Sequence, residues 1–334
     1  MVLVTGATGL LGSHLCYHLL AEGKQVVAGF RIRENIERSK EIFSFYNATE
    51  MFSELIWTEI ELMDVFSLEQ VLRDFPITEI YHCAGLVSYE SNDVQQLYSV
   101  NVSGTANLVN ACMGSGVVKF CFVSSIAAIG KEINNATISE NTKWKNKNAT
   151  AYALSKNSAE REVWRAAEEG LNVVIVNPSV IIGPGCWNNS SARILQAARN
   201  GLRFYTSGGT GIVDVRDVAR CCILLMKQQK FSQRYILNSE NLSFKEIFTL
   251  ASKTLGKNPP DIQISKWMFS IAYRLERIIC VFTGKKPKLS KEFLTSGFGF
   301  QKYSNEKLKK ELGYEFVSPV KSFEWACSFL QSAL

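Results

Sequence analysis

Hydrophobic residues in the first two-thirds of the chain form short runs separated by segments with helical spacing. The runs have the length of β-strands and lie at 1–5, 25–30, 55–60, 79–83, 117–124 and 171–177. Between them the spacing predicts helices over 10–22, 36–46, 68–73, 94–113 and 151–168. Because alternating strands and helices build a parallel sheet covered on both faces, the pattern predicts an α/β fold, a doubly wound sheet of Rossmann type.

The regular alternation weakens after Pro178, where glycine and proline interrupt the chain at 183–185 and glycine at 208–211. A late run at 234–237 predicts one more strand that returns to the sheet, and further helices are expected to begin at Ser243, Ser265, Ser304 and Val320. We therefore expect a dinucleotide-binding domain over 1–177, with a returning segment near 212–238. A smaller, mostly helical substrate domain would be formed mainly by 178–334.

One segment of this second domain, 267–282, is strongly apolar, but Arg274, Glu276 and Arg277 interrupt it and it is too short to span a membrane. Its apolar residues follow the spacing of an amphipathic helix and are Met268, Ile271, Ala272, Leu275, Ile278, Ile279 and Phe282. We expect this helix to pack on the second domain. A lid over an apolar substrate is the alternative.

Composition limits the classes of function. The 334 residues are 46% hydrophobic and 20% charged, as in ordinary globular proteins. The formal net charge of +6 is expected to be spread along the chain, apart from a lysine run at 284–288, so no nucleic-acid role is predicted. The nine cysteines lack paired spacings and are expected to be reduced, and the chain begins directly with a strand, which predicts a cytoplasmic protein.

A glycine-rich turn joins the first strand to the first helix. Its spacing is G-x-x-G-x-x-G, and the residues expected to contact a dinucleotide are Gly6, Thr8, Gly9, Leu10, Leu11 and Gly12. Without side chains the backbone can approach a pyrophosphate, which free amides at the helix start would bind. A glycine triplet by itself can also be only a tight turn, so the position at the first strand–helix junction carries the prediction.

The ends of the second and third strands bear on the choice of nucleotide. Arg31 stands where an NAD-specific protein usually has an acidic residue that accepts from the ribose 2′-hydroxyl. A guanidinium can instead bind a 2′-phosphate with two hydrogen bonds, and Arg33 or Arg38 can assist it. The sequence thus favours NADP over NAD. Glu61 and Leu62 follow the third strand and are expected at the adenine.

Tyr152 and Lys156 are four residues apart and hence on one face of a predicted helix. We expect the ammonium to lower the pKa of the phenol, which would then exchange a proton with a substrate oxygen, and to hold the nicotinamide ribose. Ser125, chosen over Ser124, ends the fifth strand at the carboxyl edge of the sheet, where its hydroxyl can hydrogen-bond the same oxygen.

Together these motifs resemble the extended short-chain dehydrogenases/reductases, in particular dihydroflavonol reductases, cinnamoyl-CoA reductases and 3β-hydroxysteroid dehydrogenases. The matching segments are 6–12, 82–85, 101–105, Ser125, 152–156, 177–185 and 213–219. The resemblance implies an NAD(P)-dependent enzyme that interconverts a carbonyl and an alcohol. It also implies a homodimer paired through the helices at 94–113 and 151–168.

The same resemblance implies further site residues. Asn101 would organise the active-site water and helix, Ala84 and Gly85 would lie against the cofactor, and Pro178 and Val180 would border the nicotinamide. Where many relatives carry aspartate this chain has Glu61, which we expect to shift the adenine contact without abolishing it. The substrate is not indicated, because the second domain shares only its rough layout with the family.

Three alternatives to an NADPH-dependent reductase are considered. A nucleotide-sugar epimerase holding NAD is the first, although Arg31 argues against it. A non-catalytic NADPH-binding regulator would tolerate the loss of Tyr152 or Lys156, yet both are present. A metal site at His14 and His18 lacks a third ligand, so no metal is predicted.

Overall fold

The computed structural model describes residues 1–132, 136–146, 149–185, 192–283 and 297–332. Its strands are β1 (Val2–Thr5), β2 (Val26–Phe30), β3 (Ile56–Glu59), β4 (Glu79–His82), β5 (Lys119–Val123), β6 (Thr137–Ile138), β7 (Asn172–Pro178), β8 (Val180–Ile182), β9 (Phe204–Thr206), β10 (Gly209–Asp214), β11 (Gln233–Leu237), β12 (Glu240–Ser243), β13 (Ile262–Ile264) and β14 (Lys302–Tyr303). Seven of them form a parallel central sheet in the order β11-β7-β5-β4-β1-β2-β3.

Helices cover this sheet and build much of the second half of the chain. They are α1 (Leu10–Ala21), α2 (Ile36–Phe45), α3 (Thr49–Phe52), α4 (Val65–Asp74), α5 (Val94–Leu97), α6 (Gly104–Met113), α7 (Ala151–Glu168), α8 (Ala192–Arg199), α9 (Val215–Lys227), α10 (Phe244–Thr254), α11 (Lys266–Thr283), α12 (Glu306–Leu312) and α13 (Pro319–Ser332). The helix expected over 94–113 is interrupted by a π-helical segment at Tyr98–Ser103, which lies between α5 and α6.

The central sheet is buried on both faces, as the apolar runs predicted. Val2 and Val4 of β1 pack in one apolar layer with α1 and α9, whereas Leu3 points to the opposite layer with α4, α6 and α7. Successive side chains of a strand alternate between faces, so a strand of uniformly apolar residues requires helices on both sides. The doubly wound Rossmann-type architecture is confirmed.

Helix α9 was not predicted as a helix, although it packs against α1 on one face of the sheet. Its apolar residues do follow helical spacing, since Val215, Val218, Cys222 and Met226 are all buried. The helical spacing was therefore readable in the sequence. It begins inside the segment 213–219, which was interpreted only as one of the segments that carry the family resemblance.

The part of the chain after Pro178 contains short sheets as well as helices. Strands β8, β10 and β12 form one sheet, and β9 pairs with β13. Ile182, Ile212 and Leu242 of the three-stranded sheet share an apolar cluster with α8, α10 and α13. The expectation of a mostly helical second domain missed these strands, because runs of three to six residues carry little periodicity.

The amphipathic helix expected at 267–282 is present as α11, but its expected packing is wrong. Ile271, Leu275 and Ile279 are exposed. Among the described side chains of α11 only Phe269 is buried, and its ring lies 6.0 Å from that of Phe298. No helix in the described ranges is both long enough and apolar enough to cross a membrane.

Candidate active site

The glycine turn leaves no space for side chains at its crossing with β4. Gly6 has a φ of +67°, and a Cβ there would lie 2.8 Å from the backbone of Ala84. A Cβ on Gly12 would lie 2.1 Å from the carbonyl oxygen of Gly6. Gly9 is the N-cap of α1 and has no side chain that could bond the amides of the first turn. The turn is thus shaped for a ligand that approaches backbone amides directly.

Two serines missed in the sequence hold this turn in place. The Ser13 hydroxyl lies 3.0 Å from the Ala7 carbonyl oxygen and 2.8 Å from that of Gly9. Ser39 of α2 donates to the Ala7 carbonyl at 3.2 Å and also contacts the Ser13 hydroxyl. Nothing in the local sequence distinguishes these residues, because their role depends on α2 lying beside the turn.

Arg31 is exposed directly after β2, next to the glycine turn, whose Ala7 amide donates to the carbonyl of Gly29 on that strand. Glu61 is half-buried and its carboxylate accepts from the amide of Met63 in its own turn. Leu62 is buried, and its carbonyl accepts from Asn107 of α6. The three side chains therefore stand at the carboxyl ends of β2 and β3, where the sequence placed them.

The segment after β4 lies between the glycine turn and helix α7. A Cβ at Gly85 would lie 3.8 Å from the Lys156 ammonium and 3.3 Å from the Asn101 amide oxygen. Asn101 accepts from the amide of Leu86 at 2.7 Å and donates to its carbonyl at 2.9 Å. Asn101 lies in the π-helical segment, a distortion found frequently at functional sites.

Asn101 is also bonded to helix α7. Its amide donates to the Ser155 hydroxyl at 3.0 Å, and Ser155 donates to the Tyr152 carbonyl. Asn101 and Tyr152, which were predicted separately, are thus linked through Ser155.

Tyr152 lies on the first turn of α7 with its hydroxyl hydrogen-bonded to Ser125. Burial raises the pKa of Tyr152, the nearby Tyr89 raises it further, and the bond with Ser125 opposes them. The Tyr89 ring packs edge-on against Tyr152 at 5.8 Å and is itself 48% exposed. The expected lowering of the pKa of Tyr152 by Lys156 is not found, because burial dominates and only the hydrogen bond with Ser125 opposes it.

Lys156 is buried and its ammonium donates to the carbonyl of Val123 at 2.8 Å, 4.5 Å from the centre of the Phe122 ring. Burial lowers the pKa of Lys156 to about 8, and the negative charge of Glu160 acts in the opposite direction. At pH 7 the group therefore still carries its proton.

Glu160, one turn further along α7, is a site residue that the sequence analysis missed. Its Oε1 accepts from Ser124 at 2.5 Å and from Asn177 at 2.6 Å, and Arg234 of β11 lies 3.4 Å from Oε2. Burial raises the pKa of this carboxyl group, while Arg234 favours its ionised form. The carboxylate thereby joins the ends of β5 and β7 below Lys156.

Pro178 and Val180 lie on either side of the step from β7 to β8, and Val180 is only partly buried. Beyond them, the Pro184 carbonyl lies 3.1 Å from Nε2 of His14 on α1. His14 is buried, its other ring nitrogen contacts the Tyr46 hydroxyl, and burial lowers its pKa to about 4. His14 is thus a neutral packing residue that connects this loop to the glycine-turn helix.

A cavity of about 230 Å³ lies at the opposite, amino-terminal edge of the sheet, beside Lys24, Glu79 and Lys119. The Glu79 carboxylate forms ion pairs with both Lys24 and Lys119. Ligands of open α/β sheets bind at the carboxyl ends, so this cavity is not the candidate site.

Known proteins resemble this chain in sequence and in fold. The NAD dependent epimerase/dehydratase family matches residues 2–238. Sterol demethylase protein B of Methylococcus capsulatus is 30% identical, and the match covers 78% of this chain and 76% of that protein. Cinnamoyl-CoA reductase 1 of Petunia hybrida is 28% identical, and the match covers 96% of this chain and 89% of that protein. The crystal structure of gox2253 superimposes with a TM-score of 0.82 at 28% identity, covering 100% of this chain and 98% of that one.

Proposed function

We propose that this chain, which belongs to the NAD dependent epimerase/dehydratase family and is an extended short-chain dehydrogenase/reductase, uses NADPH to reduce a carbonyl group to an alcohol. The observation that carries the proposal is the Tyr152–Ser125 hydrogen bond one helical turn from a buried Lys156. This arrangement supplies two hydroxyl groups at one point and a cation one helical turn along α7.

The described residues fit a bound dinucleotide. The glycine turn has no room for side chains at Gly6 and Gly12, and the start of α1 offers amides for the pyrophosphate. Arg31 is exposed at the end of β2, where it would bind a 2′-phosphate, and Glu61 and Leu62 would border the adenine. Ala84, Gly85, Pro178 and Val180 would line the nicotinamide end. NADPH, when bound, supplies the hydride.

The chain's own residues provide the proton and fix the substrate oxygen. Ser125 donates a hydrogen bond to that oxygen, and Tyr152 transfers its proton to it. The phenol carries its proton at pH 7, and burial, which raises the pKa of Tyr152, favours this neutral form, so Tyr152 can serve as proton donor in the direction of reduction. Lys156 is available to hold the ribose, and Asn101 fixes the loop after β4.

The aromatic face beside the proton donor supports a substrate with an apolar or aromatic body. Tyr89 packs against Tyr152, and Val87 on the same loop is also exposed. The matched relatives named for cinnamoyl-CoA and sterol chemistry act, by their names, on molecules of this kind. A flat apolar carbonyl compound therefore fits better than a nucleotide sugar.

Titration of NADPH and NADH into the wild-type protein and Arg31→Ala tests the cofactor. We expect NADPH to bind at least about tenfold more tightly, since a forked contact to a phosphate contributes roughly 1.5 to 3 kcal/mol. Arg31→Ala should remove most of that preference, whereas Arg199→Ala, at an exposed arginine of α8, should retain it. Equal affinities in the wild type would overturn the NADP assignment.

Substrate class is tested by following NADPH absorbance with aromatic aldehydes, α-hydroxy ketones, steroids and nucleotide sugars. We expect turnover of the aromatic or steroid carbonyls. Release of tightly bound NAD on denaturation, together with turnover of nucleotide sugars alone, would favour the epimerase instead.

A further inference from the structure

Helix α11 exposes a continuous apolar stripe. Trp267 is 67% exposed and Leu275 54%, and the other members of the stripe, between 39% and 57% exposed, are Met268, Ile271, Ile278 and Ile279. Their spacing of three and four residues places them along one side of the helix over roughly 18 Å. Contiguous exposed apolar patches of this kind mark sites that bind a protein, a membrane or a ligand.

The helix is attached to the protein through its opposite side. Phe269 is buried and contacts Phe298 edge-on, and the amides of Met268 and Phe269 bond to Ser265 just before the helix. The polar side carries Glu276 and Arg277, and the Arg277 guanidinium donates to the Tyr273 hydroxyl at 3.1 Å. The apolar stripe therefore faces outward from the body of the protein.

The charge of the whole chain is concentrated in this same segment. By sequence, residues 266–291 contain seven basic residues (Lys266, Arg274, Arg277, Lys285, Lys286, Lys288 and Lys291) and one acidic residue, Glu276. The chain has 37 basic and 31 acidic residues, so 30 of each remain elsewhere and the net charge of +6 belongs entirely to 266–291. Three of these charges belong to the lysine run at 284–288, which the sequence analysis set apart, and the others are not spread along the chain as expected.

We propose that α11 is an interfacial helix that docks the protein onto an anionic lipid surface. Its stripe would insert into the headgroup region, with Trp267 at the level where aromatic rings favour the interface, while Lys266, Arg274 and Arg277 bind acidic headgroups. The helix lies on such a surface and does not span it. A second copy of the chain is a poorer partner, because pairing the two stripes would bring together two segments with the same charge.

Vesicle binding tests the proposal independently of the proposed reaction. Wild-type protein is sedimented with vesicles of pure phosphatidylcholine and with vesicles containing about one-third phosphatidylserine. We expect at least about fivefold stronger binding to the anionic vesicles, falling when NaCl is raised to about 0.5 M. No binding to anionic vesicles at micromolar protein would overturn the proposal.

Two variants separate the apolar and the charged contributions. Trp267→Ser with Leu275→Ser should lower binding at least about fivefold, whereas Phe66→Ser with Val118→Ser, two exposed apolar positions elsewhere, should not change it. Replacing Lys266, Arg274 and Arg277 by Ala should lower binding to anionic vesicles. Replacing the exposed Lys253, Lys257 and Lys310 by Ala removes the same charge elsewhere and should have less than half that effect.

Thermal unfolding and sedimentation in the absence of lipid complete the test. All variants should unfold at the wild-type temperature within about 2 °C, because each replaced side chain is exposed. If the Trp267→Ser and Leu275→Ser pair instead turns a dimer into a monomer and leaves vesicle binding unchanged, α11 is a subunit interface and the lipid proposal is wrong.

Discussion

Tyr152 and Lys156 lie on one face of α7 but are held by different partners. Tyr152 contacts Ser125 and Tyr89, whereas the Lys156 ammonium is directed at the Val123 carbonyl. The two side chains can therefore be assigned separate tasks. We assign proton transfer to the phenol and cofactor binding to the ammonium.

Tyr152→Phe is expected to lower kcat at least about a hundredfold while the affinity for NADPH stays nearly unchanged, because the ring remains and only the proton donor is removed. Lys156→Ala should weaken both binding and turnover. Ser125→Ala should lie between wild type and Tyr152→Phe, since one donor to a developing oxyanion contributes at most roughly 2.7 to 4 kcal/mol. Steady-state kinetics with a substrate that the enzyme reduces gives kcat, and fluorescence titration gives the affinity for NADPH. Wild-type turnover in Tyr152→Phe would refute proton transfer by Tyr152.

The low pKa of Lys156 predicts a pH dependence of cofactor binding. The ammonium is charged at pH 7 and loses its proton as the pH rises through about 8, so NADPH affinity should fall between pH 7 and 9. Glu160 raises this pKa, and Glu160→Gln should therefore move the fall to lower pH. Lys156→Arg should flatten the profile, because a guanidinium stays charged throughout.

Glu162→Gln is the matched control for that experiment, because Glu162 is on the same helix but pairs with Arg165 at the surface. Its profile should coincide with that of the wild type. An unchanged profile in Glu160→Gln would show that the carboxylate has only a structural role between Ser124 and Asn177.

At the scale of elements, the glycine turn fixes the distance between β1, α1 and the loop after β4. Gly12→Ala would place a methyl group 2.1 Å from the Gly6 carbonyl oxygen, and this neighbour is backbone that cannot rotate away. We expect the turn to shift and NADPH affinity to fall at least about tenfold, with a loss of stability of about 2 kcal/mol. Isothermal titration and denaturant unfolding measure the two effects.

Gly114→Ala is the control for this substitution. Gly114 follows α6 with a φ of −100°, and a Cβ there meets no atom within 4 Å in the described structure. It should change stability by less than about 0.5 kcal/mol and leave cofactor binding intact. Normal NADPH affinity in a folded Gly12→Ala protein would argue against a pyrophosphate at this turn.

At the scale of the whole molecule, the end of the chain is fastened to the central sheet through α9. Asp217 of α9 accepts from the Tyr314 hydroxyl at 2.9 Å and from the Val317 amide at 2.8 Å. Beside it, Arg216 binds Asp214 with two hydrogen bonds and lies over the Trp325 ring of α13. We propose that the cofactor domain, 1–177 with 212–238, and the second domain, mainly 178–334, are held together here.

Asp217→Ala should lower the free energy of unfolding by about 3 kcal/mol, because two bonds to a charged group are lost and a half-buried hydroxyl and amide lose their acceptor. Tyr314→Phe removes one of these bonds and should cost about 1 kcal/mol. Urea unfolding of the two variants and the wild type gives the order. Equal stability of Asp217→Ala and wild type would show that other contacts fasten the C-terminal segment.

The homodimer implied by the family resemblance stays a prediction at this scale. It would pair α7 and the helices over 94–113 with their copies about a two-fold axis. Sedimentation equilibrium should then give twice the mass of the chain. A monomer at micromolar concentration would exclude it.

The sequence alone determined the central sheet and the location of the site. Strand and helix periods are local properties, so the apolar runs located the strands and the spacing of Tyr152 and Lys156 placed them on one helix face. The carboxyl ends of parallel strands share one edge, so the sequence by itself places Gly6, Arg31 and Ser125 on the same side of the sheet. For these features the local pattern and the fold agree.

Only the tertiary structure decided what surrounds each of these residues. The raised pKa of Tyr152 and the low pKa of Lys156 arise from burial, and burial depends on segments distant in sequence. Glu160 matters because Arg234, on β11, comes within 3.4 Å of it. The amphipathic pattern of α11 was readable in the sequence, but whether its apolar side is covered depends on what packs against it, and no local pattern records that.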